Sequence, residues 1–154
     1  MNVYRVPKFH KSTGYLLPGV YQMTIDELLN HKILGGTLQR QNLILSLKEA
    51  CETYWQYGIS EIYTNGSFST MKAEPNDIDG YICIDTNSQG FKDLINSGSI
   101  WSKFYGYHHP KDKFQMWYEH RIEFYIESEH EKIFQKFFTH SRENIVRGII
   151  KVVK

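Results

Sequence analysis

Cysteine, proline and long apolar runs are the scarcities of this 154-residue chain, which has two Cys and four Pro. Two cysteines cannot build a disulfide framework. Cys51 and Cys83 each sit among apolar neighbours, the setting of a buried free thiol. No His/Cys set has zinc-finger spacing, and His120 with His130 does not make one. No apolar run approaches the roughly 18 residues that cross a bilayer, and the N-terminus lacks a signal-peptide pattern. Charge of one sign is also lacking. The formal net charge is +1, and residues 101–154 carry ten Lys/Arg against seven Asp/Glu, an excess too small to choose a nucleic-acid partner. There is no internal repeat and no low-complexity segment. These absences leave a reduced, cytoplasmic protein as the expectation, without membrane contact.

Apolar and aromatic residues are plentiful. Hydrophobic residues make up 41% and aromatics 15%, with eleven Tyr and nine Phe, enough for one core in a single domain spanning residues 1–154. Residues 1–22, punctuated by Pro7, Gly14, Pro18 and Gly19, read as an irregular arm packed on that domain. Thr24-Ile-Asp-Glu27 is a capping box that opens a short helix to about His31. Thr37 caps a longer helix ending near Tyr57, because Leu43, Ile44, Leu47, Cys51, Tyr54 and Trp55 fall on one 3.6-period face and Gly58 supplies the stop. Short strands are expected over residues 60–64 and 77–85, with a turn or short helix over 66–76 between them. A short helix follows over 91–96, and a helical piece stands near 100–105. Alternation predicts a strand over 119–127, with Ile122, Phe124 and Ile126 on one face and Glu119, Arg121, Glu123, Tyr125 and Glu127 on the other. Ser128-Glu-His-Glu131 opens a helix carrying Ile133, Phe134, Phe137 and Phe138, and residues 148–153 close the chain as a strand. Helices interspersed with a few strands imply an α/β or α+β fold, a mixed sheet flanked by helices.

The chemistry concentrates in residues 62–79. A short apolar run enters Gly66-Ser67, and nine residues separate Ser67 from Asp77-Ile78-Asp79. In an extended chain, i and i+2 share a face, so Asp77 and Asp79 project together, opposite Ile78, Ile82 and Ile84. Two adjacent carboxylates repel unless something positive lies between them, and a hard divalent cation is the simplest candidate. Gly66 lets backbone approach a phosphate without a Cβ in the way, and the N–H groups that follow can cradle an anion. Ser67 adds a hydroxyl, and Lys72 can reach a triphosphate or remain solvated. His108-His109, Lys111 and Lys113 form a small basic loop that reads as solvated, with contact to phosphates or an RNA backbone as the rival use.

Gly-Ser followed at this spacing by Asp-x-Asp resembles the signature of the polymerase-β-like nucleotidyltransferase superfamily, in which roughly 9–13 residues separate the two elements. The likeness extends outward, to Pro7-Lys-Phe, Gly14-Tyr-Leu-Leu-Pro18-Gly19, Lys72-x-Glu-Pro75 and Arg147-Gly148-Ile149-Ile150, which look like a small stand-alone bacterial family of minimal nucleotidyltransferases. What the resemblance implies is a palm-like fold. Asp77 and Asp79 would hold Mg²⁺ (or Mn²⁺) on an NTP such as ATP, while Gly66, Ser67 and Lys72 line the phosphates. A third carboxylate would come from a later strand. Glu123 fits that position, although the family's usual residue is aspartate, and Glu127 or Glu119 on the same face would serve if the assignment shifts. By the same analogy Arg142 and Arg147 line the cleft. An NMP would pass to a hydroxyl of an RNA or tRNA end, a protein side chain or a small molecule, in a toxin–antitoxin or phage-defence setting. The rival expectations are a catalytically inactive protein of this fold acting as a binding or inhibitory partner, and a simple RNA-binding domain.

Overall fold

A computed structural model describes residues 2–105, 113–128 and 145–154. Its centre is helix α2 (Leu38–Gln56), whose N-cap Thr37 accepts a hydrogen bond from the Arg40 amide and whose 3.6-period stripe of Leu43, Ile44, Leu47, Cys51 and Tyr54 is buried. Gly58, at φ +80°, lets the chain leave the helix in a left-handed turn, as its position after the stripe requires. The preceding α1 (Ile25–Asn30) carries the expected capping box. Thr24 accepts from the Glu27 amide at 3.1 Å and donates to the Glu27 carboxylate at 3.2 Å.

Six strands form one mixed sheet: β1 (Val3–Tyr4), β2 (Val20–Met23), β3 (Glu61–Asn65), β4 (Ile78–Cys83), β5 (Ile122–Glu127) and β6 (Ile149–Val152). Their order is β1-β2-β6-β3-β4-β5. β3 runs antiparallel to both β4 and β6, and the other neighbours are parallel. One face packs on α2, α1 and α3 (Gln89–Asn96) through Met23, Ile62, Ile78, Ile82, Ile122, Phe124, Ile150 and Val152. Strand alternation puts Asn65, Tyr63, Asp79, Tyr81, Glu123, Tyr125 and Ile149 on the other face. The fold is thus a single compact mixed α/β domain, with four α-helices among the described residues.

Two expectations are corrected. Residues 1–22 are not wholly irregular, because they supply β1 and β2 at one edge of the sheet. β2 alternates over only four residues, Tyr21 and Met23 buried, and its partner β6 lies at the far end of the chain, so local pattern could not reveal it. Residues 119–121 are not strand. Gln115–His120 is a short helix, α4, anchored by fully buried Met116. Arg121 then turns left-handed at φ 58°, and β5 starts at Ile122. Glu119 therefore lies on α4, bonded to Gln115, and drops out as a third carboxylate. The expected piece near residues 100–105 is a single 3₁₀ turn, Ile100–Ser102. The helix expected after Ser128 lies outside the described residues, as do His108, His109, Lys111 and Arg142. Of the two thiols, Cys51 is fully buried, whereas Cys83 is half-buried, and neither forms a disulfide.

Candidate active site

β3 delivers its last residue, Asn65, into a left-handed Gly66 (φ +73°) that opens the 3₁₀ turn Gly66–Ser69. This turn packs on the strand that follows it. A Cβ added to Gly66 would stand 3.4 Å from Asp79 Oδ2, so the Gly-Ser backbone is seated against the carboxylate, and only glycine takes this φ without strain. Gly80, one residue on, has a different reason. A Cβ there would lie 2.1 Å from the Tyr63 carbonyl oxygen, so the closeness of β3 and β4 that holds the turn on Asp79 depends on it.

Asn65, Asp79 and Glu123 form one row across three strands, since Asn65 is the antiparallel partner of Asp79 and Asp79 the parallel partner of Glu123. Asp77 precedes β4 by one residue and accepts a hydrogen bond from Trp117 Nε1 at 2.9 Å. Asp79 is largely buried, and its Oδ1 has no hydrogen-bond partner among the described residues. Burial first, then the charge of Asp77 and, less strongly, that of Glu123 push its carboxyl up to about 6, against the opposing pull of Lys113. The site therefore places negative charge where it is poorly solvated. A bound cation would relieve that.

Glu123 behaves differently. It is 1% exposed, and its oxygens are engaged: Oε2 accepts from the Phe114 amide at 2.6 Å, and Oε1 from the Tyr125 hydroxyl at 2.6 Å, with Lys113 Nζ at 3.6 Å. Burial and that hydrogen bond raise the Tyr125 phenol above its ordinary range. Among the described residues no group of three His, Cys, Asp or Glu side chains is assembled to hold a metal ion. Asp77 and Asp79, by contrast, fit a hard cation by donor type and by the unpartnered Asp79 oxygen. Glu127 shares the face of Glu123 but stands opposite Cys83, four pairs further along, with its Oε2 3.7 Å from the thiol.

Ser67 is half-buried in the turn, while Lys72 is exposed, and its backbone is more engaged than its side chain. The reason is Arg40. This fully buried residue of α2 aims its guanidinium at the loop: Nε and Nη2 donate to the Lys72 carbonyl at 2.9 and 2.5 Å, Nη2 to Thr70 O at 2.8 Å, and Nη1 to Phe68 O at 2.9 Å and Leu34 O at 3.3 Å. It also lies over the Phe68 ring, 5.2 Å from the centroid. Burial lowers its pKa to about 10, which leaves it charged at neutral pH. Arg147, expected in the cleft, lies over the Tyr15 ring, 5.3 Å from its centroid, and Tyr15 bridges to Thr70 at the end of the same loop.

The model of a family of unknown function, DUF6932, matches residues 7–153. The chain belongs to this family. No curated protein and no solved structure matches it. The matched residues include every candidate site residue, from Arg40 to Tyr125.

Four residues of that site escaped sequence reasoning. Arg40 had a signal, since it stands three, four and seven residues before Leu43, Ile44 and Leu47, a cation in line with an apolar stripe. Asn65 had a weaker one, as the polar residue just before Gly66 and in phase with Tyr63. Trp117 had none, because its contact with Asp77 crosses between elements, whereas Tyr125 had one, standing two residues after Glu123 on the same face of one strand. Lys113, read as part of a solvated loop, lies beside Glu123 and over the Trp117 ring, 5.6 Å from its centroid.

Proposed function

We propose that this chain is a metal-dependent nucleotidyltransferase that moves an NMP from an NTP to a hydroxyl acceptor and releases pyrophosphate. The observation that carries the proposal is the seating of the Gly66–Ser67 turn directly against the Asp79 carboxylate, with Asp77 alongside. A phosphate-side turn and two carboxylates at one end of a sheet supply what nucleotidyl transfer needs: an anion cradle beside a cation-binding pair. Asp77 and Asp79 would hold Mg²⁺ or Mn²⁺, which when bound offsets the charge of the triphosphate. Gly66 leaves room for phosphate oxygens, Ser67 offers a hydroxyl donor, and Trp117 fixes the rotamer of Asp77 through its indole N–H. Arg40 holds residues 68–72 in shape behind the turn. Lys72, exposed on that loop, is free to swing onto a phosphate. The acceptor hydroxyl attacks the α-phosphorus in line with the leaving pyrophosphate. Acceptors in keeping with so small a domain are an RNA or tRNA end, a side-chain hydroxyl of a partner protein, or a small molecule, in a toxin–antitoxin or phage-defence setting.

A second reading is a catalytically inactive protein of the same fold that acts as a binding or inhibitory partner. The engagement of Glu123 by Phe114, Tyr125 and Lys113 favours it, since a carboxylate so committed is poorly placed to join a metal. Transfer from each α-labelled NTP with Mg²⁺ or Mn²⁺, to tRNA, to the protein itself and to a cognate partner, separates the two. The enzyme labels an acceptor, and the Asp77→Asn/Asp79→Asn protein folds and labels none. Equal behaviour of the two proteins on all acceptors sinks the enzyme.

A further inference from the structure

Asn65 is 1% exposed, and neither Oδ1 nor Nδ2 of its carboxamide has a hydrogen-bond partner among the described residues. A buried carboxamide with both ends unmet carries the full desolvation penalty of a donor and an acceptor, and native structures rarely tolerate that. Its neighbour makes the vacancy informative. Asn65 is the cross-strand partner of Asp79, on the same face, where directly opposed residues hold their Cβ atoms roughly 4.5–5.5 Å apart. Asp79 Oδ1 is also unmet. Two adjacent strands thus present unpartnered oxygens to one place, at the mouth of the Gly66 turn. On the other side of Asp79, Glu123 has given its oxygens to the Phe114 amide, the Tyr125 hydroxyl and Lys113.

We propose that the carboxamide oxygen of Asn65, and not the carboxylate of Glu123, completes the oxygen set that Asp77 and Asp79 offer a divalent cation. The inference rests on the metal-dependent reading above and changes which residues make the site. Amide carbonyls are competent ligands for hard cations. With Oδ1 turned to the ion, Nδ2 is left to donate to a phosphate oxygen bound to the same ion, so one ligand accounts for both unmet atoms. Glu123 becomes a positioning residue that ties the Phe114 backbone to β5 and holds the Tyr125 hydroxyl in place.

Mn²⁺ titration of the full chain without nucleotide, read by the electron paramagnetic resonance of free Mn²⁺, tests this. Asn65→Ala is expected to weaken Mn²⁺ binding roughly tenfold or more, and Asn65→Asp, which adds a carboxylate ligand in the same shape, to tighten it roughly fivefold, because ligand charge tunes such sites. Glu123→Gln is expected to change it less than about threefold. Should Asn65→Ala fail to fold by circular dichroism, the nearly isosteric Asn65→Asp decides alone. Wild-type binding that needs Asp77 and Asp79 yet ignores both Asn65 variants, or that falls as far with Glu123→Gln as with Asn65→Ala, overturns the assignment and leaves the metal-dependent reading intact. Absence of Mn²⁺ binding by the wild type, or equal binding by Asp77→Asn/Asp79→Asn, overturns both.

Discussion

Replacing Arg40 by Met tests whether the turn beside Asp79 is held from behind by one buried cation. The substitution keeps the unbranched stem and removes every donor. Four carbonyls, those of Leu34, Phe68, Thr70 and Lys72, then lose a partner in a buried or half-buried setting. An unmet buried acceptor costs about 1–3 kcal/mol, so the gross loss is roughly 4–12 kcal/mol. Against this stands the burial of the guanidinium itself, a penalty of several kcal/mol that the variant no longer carries. The net is a loss of about 3–5 kcal/mol, a large share of the roughly 5–15 kcal/mol that holds a domain together. Arg40→Lys keeps the charge but offers a point of three donors in place of a planar fork, and is expected to lose about 2–4 kcal/mol. Urea unfolding at pH 7 followed by tryptophan fluorescence and far-UV circular dichroism reads both values, with m-values checked for two-state behaviour. A loss below about 1 kcal/mol for Arg40→Met would refute the reasoning, because it would mean the four carbonyls find water or each other at little cost.

Two further predictions come from the same corner of the sheet. Asp79 has its carboxyl raised to about 6 by burial and by the charges of Asp77 and Glu123, with Lys113 opposing. Between about pH 4 and 6 the native state keeps a proton that the unfolded chain has lost, so metal-free wild type is expected to lose stability as pH rises through that window, by at most about 3 kcal/mol. Asp79→Asn in EDTA should therefore lack this loss and be about 1–3 kcal/mol more stable than wild type at pH 7, and a less stable variant contradicts the cause assigned. Gly80→Ala should lose about 3 kcal/mol or more, since its Cβ would meet the Tyr63 carbonyl oxygen at 2.1 Å, whereas Gly58→Ala, strained by its φ of +80° but open around its Cβ, should lose about 1 kcal/mol. Equal losses in urea would remove the argument for close approach of β3 and β4.

Most of the helical core was legible, because α1 and α2 declare themselves locally: Thr24 and Thr37 cap them, and the stripe from Leu43 to Tyr54 is continuous. The alternation of Ile122, Phe124 and Ile126 against Glu123, Tyr125 and Glu127 was equally plain and holds in β5. It misled at its start, where Glu119 and Arg121 happen to stay in phase while the backbone is helical and then left-handed. Gly66, Ser67, Asp77 and Asp79 were readable as a group, since the turn and the strand that follow one another in sequence meet in space. What sequence could not show is what each side chain spends its hydrogen bonds on. Glu123 looks like a metal ligand by position, yet its oxygens go to Phe114 and Tyr125, and Asn65 looks like a strand end, yet both ends of its buried carboxamide have no partner among the described residues.

The central claim, that Gly66–Ser67 and the Asp77–Asp79 pair form one nucleotide-metal site, is tested most directly by a crystal structure of the full chain with Mg²⁺ and a non-hydrolysable NTP analogue. The expected result is a cation held by Asp77 and Asp79, with the triphosphate against the Gly66–Ser67 turn. A nucleotide bound elsewhere, or no cation between the two aspartates at saturating Mg²⁺, contradicts it.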